Sequence, residues 1–182
     1  MKPIANLICF TLIFTGAYAF AETFSNEVLT LDVPAGFEGP TSGSPGPGAK
    51  VVAYSKPHAG FDGGTLFQIT TYDFGSSLEG MPEEERGNAS EHYLGQFLGG
   101  VERKRTAFLA STPERIKLGG LPASRVMWTG NFNGMPVSGV MYCVVIGTTV
   151  VTLHTQDIDD APPENRRAAI EAFEALRVKV SN

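Results

Sequence analysis

Cys143 and His154 are the pair of residues in this sequence whose types and placement come nearest to covalent chemistry. A thiol acts as a nucleophile when it is accessible and has a base within reach. Both residues fall in β-rich segments, Val137 to Ile146 and Thr149 to Gln156, separated by Gly147-Thr148. A two-residue turn at that point sets Cys143 opposite Thr152 and places His154 one diagonal step further along the same face. Their Cβ atoms are then about 7–8 Å apart, outside hydrogen-bond contact. Free cysteine is among the most buried residue types. The favoured reading is therefore a buried small cysteine, slow towards thiol reagents, beside a half-buried histidine in a sheet. At the preceding turn, Asn133-Gly134, both residues tolerate positive φ, which sets Trp128 opposite Gly139 and Phe132 beside the tip. An aromatic ring at Trp128 covers the bare backbone of Gly139. Trp128, His154, Cys143 and Phe132 are the candidates for a surface that meets a partner. No residue is assigned a catalytic, cofactor-binding or metal-binding role.

The remaining constellations have structural readings. His58, His92 and His154 lie in a loop, near a helix start and on a strand, without zinc-ligand spacing. Asp157-Ile158-Asp159-Asp160 lacks the spacing of a calcium loop and sits where a helix needs a cap, which Asp159 or Asp160 can supply. There is no G-x-S-x-G elbow, and neither Ser90 nor Ser138 has a nucleophile's partner in sequence. Thr41 to Gly48, reading T-S-G-S-P-G-P-G, lacks the Gly-Lys-Ser/Thr ending of a phosphate loop and reads as surface loop. Glu83 to Glu85 and Arg103 to Arg105 are charge runs whose simplest reading is solvated surface. Asn88-Ala89-Ser90 is a glycosylation sequon, relevant only in a eukaryotic secretory route.

The elements that position these residues follow from periodicity. Val28 to Val33, Lys50 to Ser55 and Thr65 to Tyr72 are β-rich and bounded by turn residues. Tyr93, Leu94, Phe97, Leu98 and Val101 recur at helical spacing. Asn88 with Glu91 forms a candidate capping box for that helix, and Gly99-Gly100 a candidate end. Ala123 to Asn131, Val137 to Ile146 and Thr149 to Gln156 then form an antiparallel meander. Pro162-Pro163 open a last helix with Ala169, Ile170, Phe173 and Leu176 as its buried stripe. In the meander, Val140, Tyr142, Val144, Val151 and Leu153 share one apolar face. Met141, Cys143, Val145, Val150, Thr152 and His154 share the other, which is mixed. Helices covering both faces account for that mixture.

The start of the chain reads as an export signal. Met1-Lys2 is followed by an apolar run from Ile4 to Phe14, and Ala19-Phe20-Ala21 fits an A-x-A cleavage site. Cleavage there separates residues 1–21 from a single α+β domain over residues 22–182 and leaves no membrane span. It also removes Cys9, so Cys143 has no partner within the mature chain and no intramolecular disulfide forms. The formal charge of −5 becomes one unit more negative with the loss of Lys2. A mildly acidic exported domain is a poor binder of nucleic acid or anionic membrane surfaces. The periplasm is the expected location, with secretion as the alternative.

The chain also shows a family likeness. The N-terminal strands include Val33-Pro34-Ala35-Gly36-Phe37. They are followed by a helix, the step Ile116-Lys117-Leu118-Gly119-Gly120-Leu121-Pro122-Ala123, the meander and a closing helix ending in Leu176-Arg177-Val178. This order resembles the PsbP-like and DcrB-like α/β/α sandwich group of small exported or lumenal proteins. The resemblance implies an antiparallel sheet with helices packed on it. It also implies an accessory role, as an assembly factor, subunit, adaptor or chaperone, and it carries no catalytic residues. A non-enzymatic accessory or inhibitor protein whose partner is another exported or envelope protein is thus the first functional expectation. A small-molecule or lipid-binding module, lined by aromatics such as Phe61, Phe67, Phe74 and Phe132, is the second. A thiol-dependent or other hydrolase is the third.

Overall fold

Two-residue turns organise most of this molecule. In the computed structural model, which describes residues 22–60 and 63–179, Gly147-Thr148 joins strands β9 (Met135–Ile146) and β10 (Thr149–Ile158). Asn133-Gly134 joins β8 (Leu121–Phe132) to β9, with Asn133 at φ 50° and Gly134 at φ 81°, as a turn with positive φ at both positions requires. The registers follow from these turns: Cys143 pairs with Thr152, Tyr142 with Leu153, and Trp128 with Gly139. Thus the expected meander is present.

The meander is the centre of an eight-stranded antiparallel sheet. On one side, β10 pairs with β5 (Gly64–Asp73), β5 with β4 (Ala49–Pro57), and β4 with the edge strand β3 (Glu38–Gly43). On the other side, two short strands share the flank of β8. These are β6 (Thr106–Ala110), paired with its C-terminal half, and β7 (Glu114–Leu118), paired with its N-terminal half. A second, three-stranded sheet consists of β1 (Thr23–Ser25), β2 (Leu29–Asp32) and β11 (Arg177–Val178), in the order β1-β2-β11.

Each face of the large sheet is covered. Helix α2 (Pro163–Glu174) and the small sheet lie on one face. There Phe67, Tyr142, Leu153, Ala169 and Phe173 join Leu29 and Leu31 in one buried cluster. Phe173 stacks on Phe67 with ring centroids 4.5 Å apart and meets Tyr142 edge-on at 6.0 Å. Helix α1 (Glu83–Glu102) covers the other face, where Leu94 packs with Val126, Met141, Cys143, Val145 and Val150. Arg86 fastens its first turns to the β9–β10 tip by donating from Nη1 to the carbonyl of Gly147 at 3.0 Å. The molecule is therefore an α+β protein built as an α/β/α sandwich.

Several sequence expectations are corrected. Helix α1 starts at Glu83, behind Pro82, and not at Asn88. Three glutamates in its first turn complement the helix dipole, which leaves Asn88 and Glu91 free to accept from Arg115. Gly99-Gly100 does not end the helix, which runs on to Glu102. Part of the Thr41–Gly48 stretch is strand, because Thr41 to Gly43 pair with Val51 to Ala53 at the exposed edge, where Gly and Pro are tolerated. Helix α2 has Pro162 at its N-cap without a side-chain hydrogen bond. Asp159 is engaged elsewhere, accepting from Ser138 Oγ at 2.7 Å. The proposed signal segment, residues 1–21, and Phe61 lie outside the described residues.

Candidate functional site

On the α1 face, strand pleating places Gln68 and Thr70 of β5 beside Thr152, His154 and Gln156 of β10, with Met141 of β9 next in the row. The C-terminal end of α1 overhangs this polar floor without filling it. The result is a chamber of about 320 Å³, whose walls include Phe97, Val101 and Phe132 and whose charged side chains are Lys104 and Arg105.

Arg105 is the pivot of this chamber. Its Nη1 donates to the carbonyl of Val101 at 2.6 Å, and its Nη2 donates to Oε1 of Gln156. Its guanidinium carbon lies 4.4 Å from the Trp128 ring centroid and 5.8 Å from that of Phe132, which is cation–π geometry. Its Nε is buried without a hydrogen-bond partner. Among the described residues it forms no ion pair, whereas Arg115 and Arg177 each have one and Arg125 has two. Desolvation pulls its pKa down from the ordinary arginine value. The charge run that contains it is thus not uniformly solvated: Arg103 and Lys104 are exposed, but Arg105 folds back over the sheet.

Three of the four sequence candidates meet around Arg105, but only one of these is on the surface. Phe132 is 37% exposed, while Trp128 and His154 are 2% and 5% exposed. Their rings are 5.7 Å apart, and Phe108 of β6 lies 5.8 Å from Trp128 on another side. Trp128 is pressed onto Gly139, where an added Cβ would come within 2.5 Å of the indole. Among the described residues, the Nε2 of His154 and the Nε1 of Trp128 find no partner. Desolvation, aided by the charge of Arg105, lowers the His154 pKa to about 3, so the ring is neutral at ordinary pH.

Cys143 is apart from this group. It is fully buried in the apolar cluster beneath α1, and burial pushes its thiol well above the usual range. A thiol held protonated among apolar neighbours is not an activated nucleophile. Its burial agrees with the favoured reading from sequence, and like Trp128 and His154 it is therefore no part of a surface that meets a partner. Helix α1 covers Cys143, whereas Arg105 and Phe108 lie against Trp128.

The other chemistry-bearing residues are tied into structural bonds. Ser90 Oγ donates to the carbonyl of Gly87 and is 2.9 Å from Ser124 Oγ. Asp157 neither caps α2 nor lies in a loop. It is a buried carboxylate that accepts from Thr65 Oγ1 and, at 2.6 Å, from His58 Nε2. Its partners are Thr65 of β5 and His58, the residue after β4, so it fastens the β4–β5 hairpin to β10. Thr65 bonds the carboxylate and not the imidazole, so the trio lacks the nucleophile–base contact of a catalytic relay. The pairing of His58 with Asp157 spans 99 residues, and no local spacing announces it.

The second concave feature is on the α2 face, at the β6 flank. Leu109, Met127, Val140 and Ile170 line an open groove of about 630 Å³. Leu109 is 72% exposed and Met127 57%. Arg166 and Ser138 form its polar end, where Arg166 Nη1 donates to Ser138 Oγ. Sequence reasoning missed Leu109, because Thr106 to Ala110 has no strand-like alternation.

Comparison with solved structures assigns the architecture. The chain has the PsbP-like α/β/α sandwich fold. It is similar to the cyanobacterial PsbP of Synechocystis, at TM-score 0.63 and 8% identity, covering 90% of this chain and 96% of that one. LpqN of Mycobacterium tuberculosis, described as involved in cell envelope biogenesis, matches at TM-score 0.54 and 17% identity over 84% and 83% of the two chains. PA94 of Pseudomonas aeruginosa, a protein of unknown function described as a putative regulator, matches at 0.53 and 13% over 88% and 99%. No family model and no curated protein matches the sequence. Among the described residues, no helix is long and apolar enough to cross a membrane.

Proposed function

We propose that this protein is an exported, non-enzymatic accessory protein that binds an extended apolar segment of another envelope protein along its β6 flank. The observation that carries this reading is the exposure of Leu109 and Met127 beside the groove that ends at Arg166. Large exposed apolar side chains next to a terminal strand favour β-addition: main-chain bonds to the edge give affinity, and pockets for alternate side chains give selectivity. The opposite edge suits no such role. All six residues of β3 are exposed, they include Gly39, Pro40 and Gly43, and a register irregularity interrupts their pairing. The likeness to LpqN, an envelope-biogenesis protein, supports an envelope setting.

Photo-crosslinking in the native cells tests the reading. A photoreactive residue at position 109 or 127 is expected to give one dominant protein adduct, and the same residue at Gln96, exposed on α1, is expected to give none. Equal adducts at all three positions, or none at 109 and 127, would overturn it.

A further inference from the structure

The chamber under the end of α1 has chemistry that the accessory role does not use. Among the described residues its charged side chains are both cations, Lys104 and Arg105, and none of those lining it is a carboxylate. The carbonyl end of α1 carries partial negative charge, and Arg105 answers part of it through Val101. The neutral amide of Gln156 and the rings of Trp128 and Phe132 make its other contacts, none of them a full negative charge. The floor supplies further donors. Gln68 Nε2 donates to Thr70 Oγ1, which leaves the Thr70 hydroxyl proton available. Thr152 adds a second hydroxyl. His154 Nε2, buried and without a partner, adds a donor in one neutral tautomer. Such unmatched polar atoms cost stability unless something occupies the space beside them.

We infer that this chamber binds a small organic carboxylate, with the carboxyl group between Arg105 and the Thr70–Thr152–His154 floor and a short apolar body against Phe97, Phe132 and Met141. The guanidinium fork suits a carboxylate, and the mixed walls suit a few methylenes. The volume of about 320 Å³ is at the small end of ligand pockets, which limits the body to a short chain or single ring. The site lies on the opposite face of the sheet from the Leu109 groove, so it stands or falls independently of the accessory reading.

The only tryptophan in the chain, Trp128, reports on this chamber, since Arg105 lies over its ring and His154 beside it. The purified protein is titrated with hexanoate, hexylamine and inorganic phosphate while Trp128 emission is followed. Hexanoate is expected to give a saturable change that is about tenfold or more weaker in Arg105→Gln, the loss typical of one charge-assisted hydrogen bond. Hexylamine and phosphate are expected to give no saturable change at the same concentrations. Should Arg105→Gln fail to fold by urea titration, Thr70→Val takes its place, and hexanoate binding must weaken there as well. No saturable response to hexanoate, equal affinity in the substituted protein, or binding of hexylamine as tight as that of hexanoate would each overturn the inference. Phosphate binding as tightly as hexanoate would overturn the apolar part of it.

Discussion

The two faces of the central sheet are built on different terms. Beneath α2 and the small sheet, Phe67, Tyr142, Leu153 and Phe173 pack ring on ring and leave few polar atoms to satisfy. Polar groups that enter that face are mostly partnered, as at Asp157, and Thr155 Oγ1 is the one buried side-chain oxygen among the described residues without a partner. Beneath α1, the apolar packing around Leu94 and Cys143 gives way towards the helix end to Gln68, Thr152, His154 and Gln156. Three buried nitrogens there, on Arg105, Trp128 and His154, have no partner among the described residues. Buried polar atoms are almost always paired when stability alone shapes a site. One face therefore holds the fold together, and the other gives up some stability to keep a polar chamber open.

Truncating a ring on each face is the most severe test of that contrast. Phe173→Ala removes a fully buried ring stacked on Phe67, and a loss of about 3–5 kcal/mol is expected from urea unfolding. Phe97→Ala, at a half-buried wall of the chamber, is expected to cost clearly less. Equal losses would mean that both faces carry stability alike.

The next effect in size is a pH dependence. The folded His154 pKa, about 3, is below the 6.5 of the unfolded chain. Between these values the unfolded chain binds a proton that the folded chain refuses. The contribution is thus intact above about pH 6.5 and is lost at about 1.4 kcal/mol per pH unit on acidification, until the folded pKa is reached. Carboxylates titrate in the same range, so the measurement is a difference: His154→Gln is expected to flatten the fall in urea midpoint between pH 6 and pH 4. Parallel profiles for parent and variant would show that His154 is not held neutral by burial.

How much of this was legible in the sequence depended on how local each cause was. The meander registers follow from two turns of two residues each, so the opposition of Cys143 to Thr152 and of Trp128 to Gly139 could be read directly. The mixed character of the second face pointed to a covering helix. Burial of Trp128 and His154 could not be read, because it depends on Arg105 and Phe108, which arrive from a separate segment along the β8 flank. Ala107, at φ 49°, lies where the pairing of β6 with β8 slips register, so Thr106 to Ala110 carries no regular alternation to mark a strand. The early start of α1 did leave a signal in Pro82 and three following glutamates, which is N-terminal helix chemistry. The Asn88–Glu91 pattern competed with it and misled, since both side chains serve Arg115 instead.

The smallest effect separates the helix from what it covers. Helix α1 contains Gly87, Gly95, Gly99 and Gly100, an unfavourable composition for twenty residues of helix. Gly87 faces Pro122 and Gly100 lines the chamber, so substitution there changes packing as well as propensity. Gly95 is exposed, and a Cβ built on it meets nothing within 4 Å. Gly95→Ala is therefore expected to stabilise the protein by about 1 kcal/mol through the helix backbone alone. The hexanoate response of Trp128 should not change, because no chamber contact is altered. If the gain in urea midpoint comes with weakened hexanoate binding, then the chamber relies on a loosely held α1, and its openness belongs to the helix and not to the polar floor.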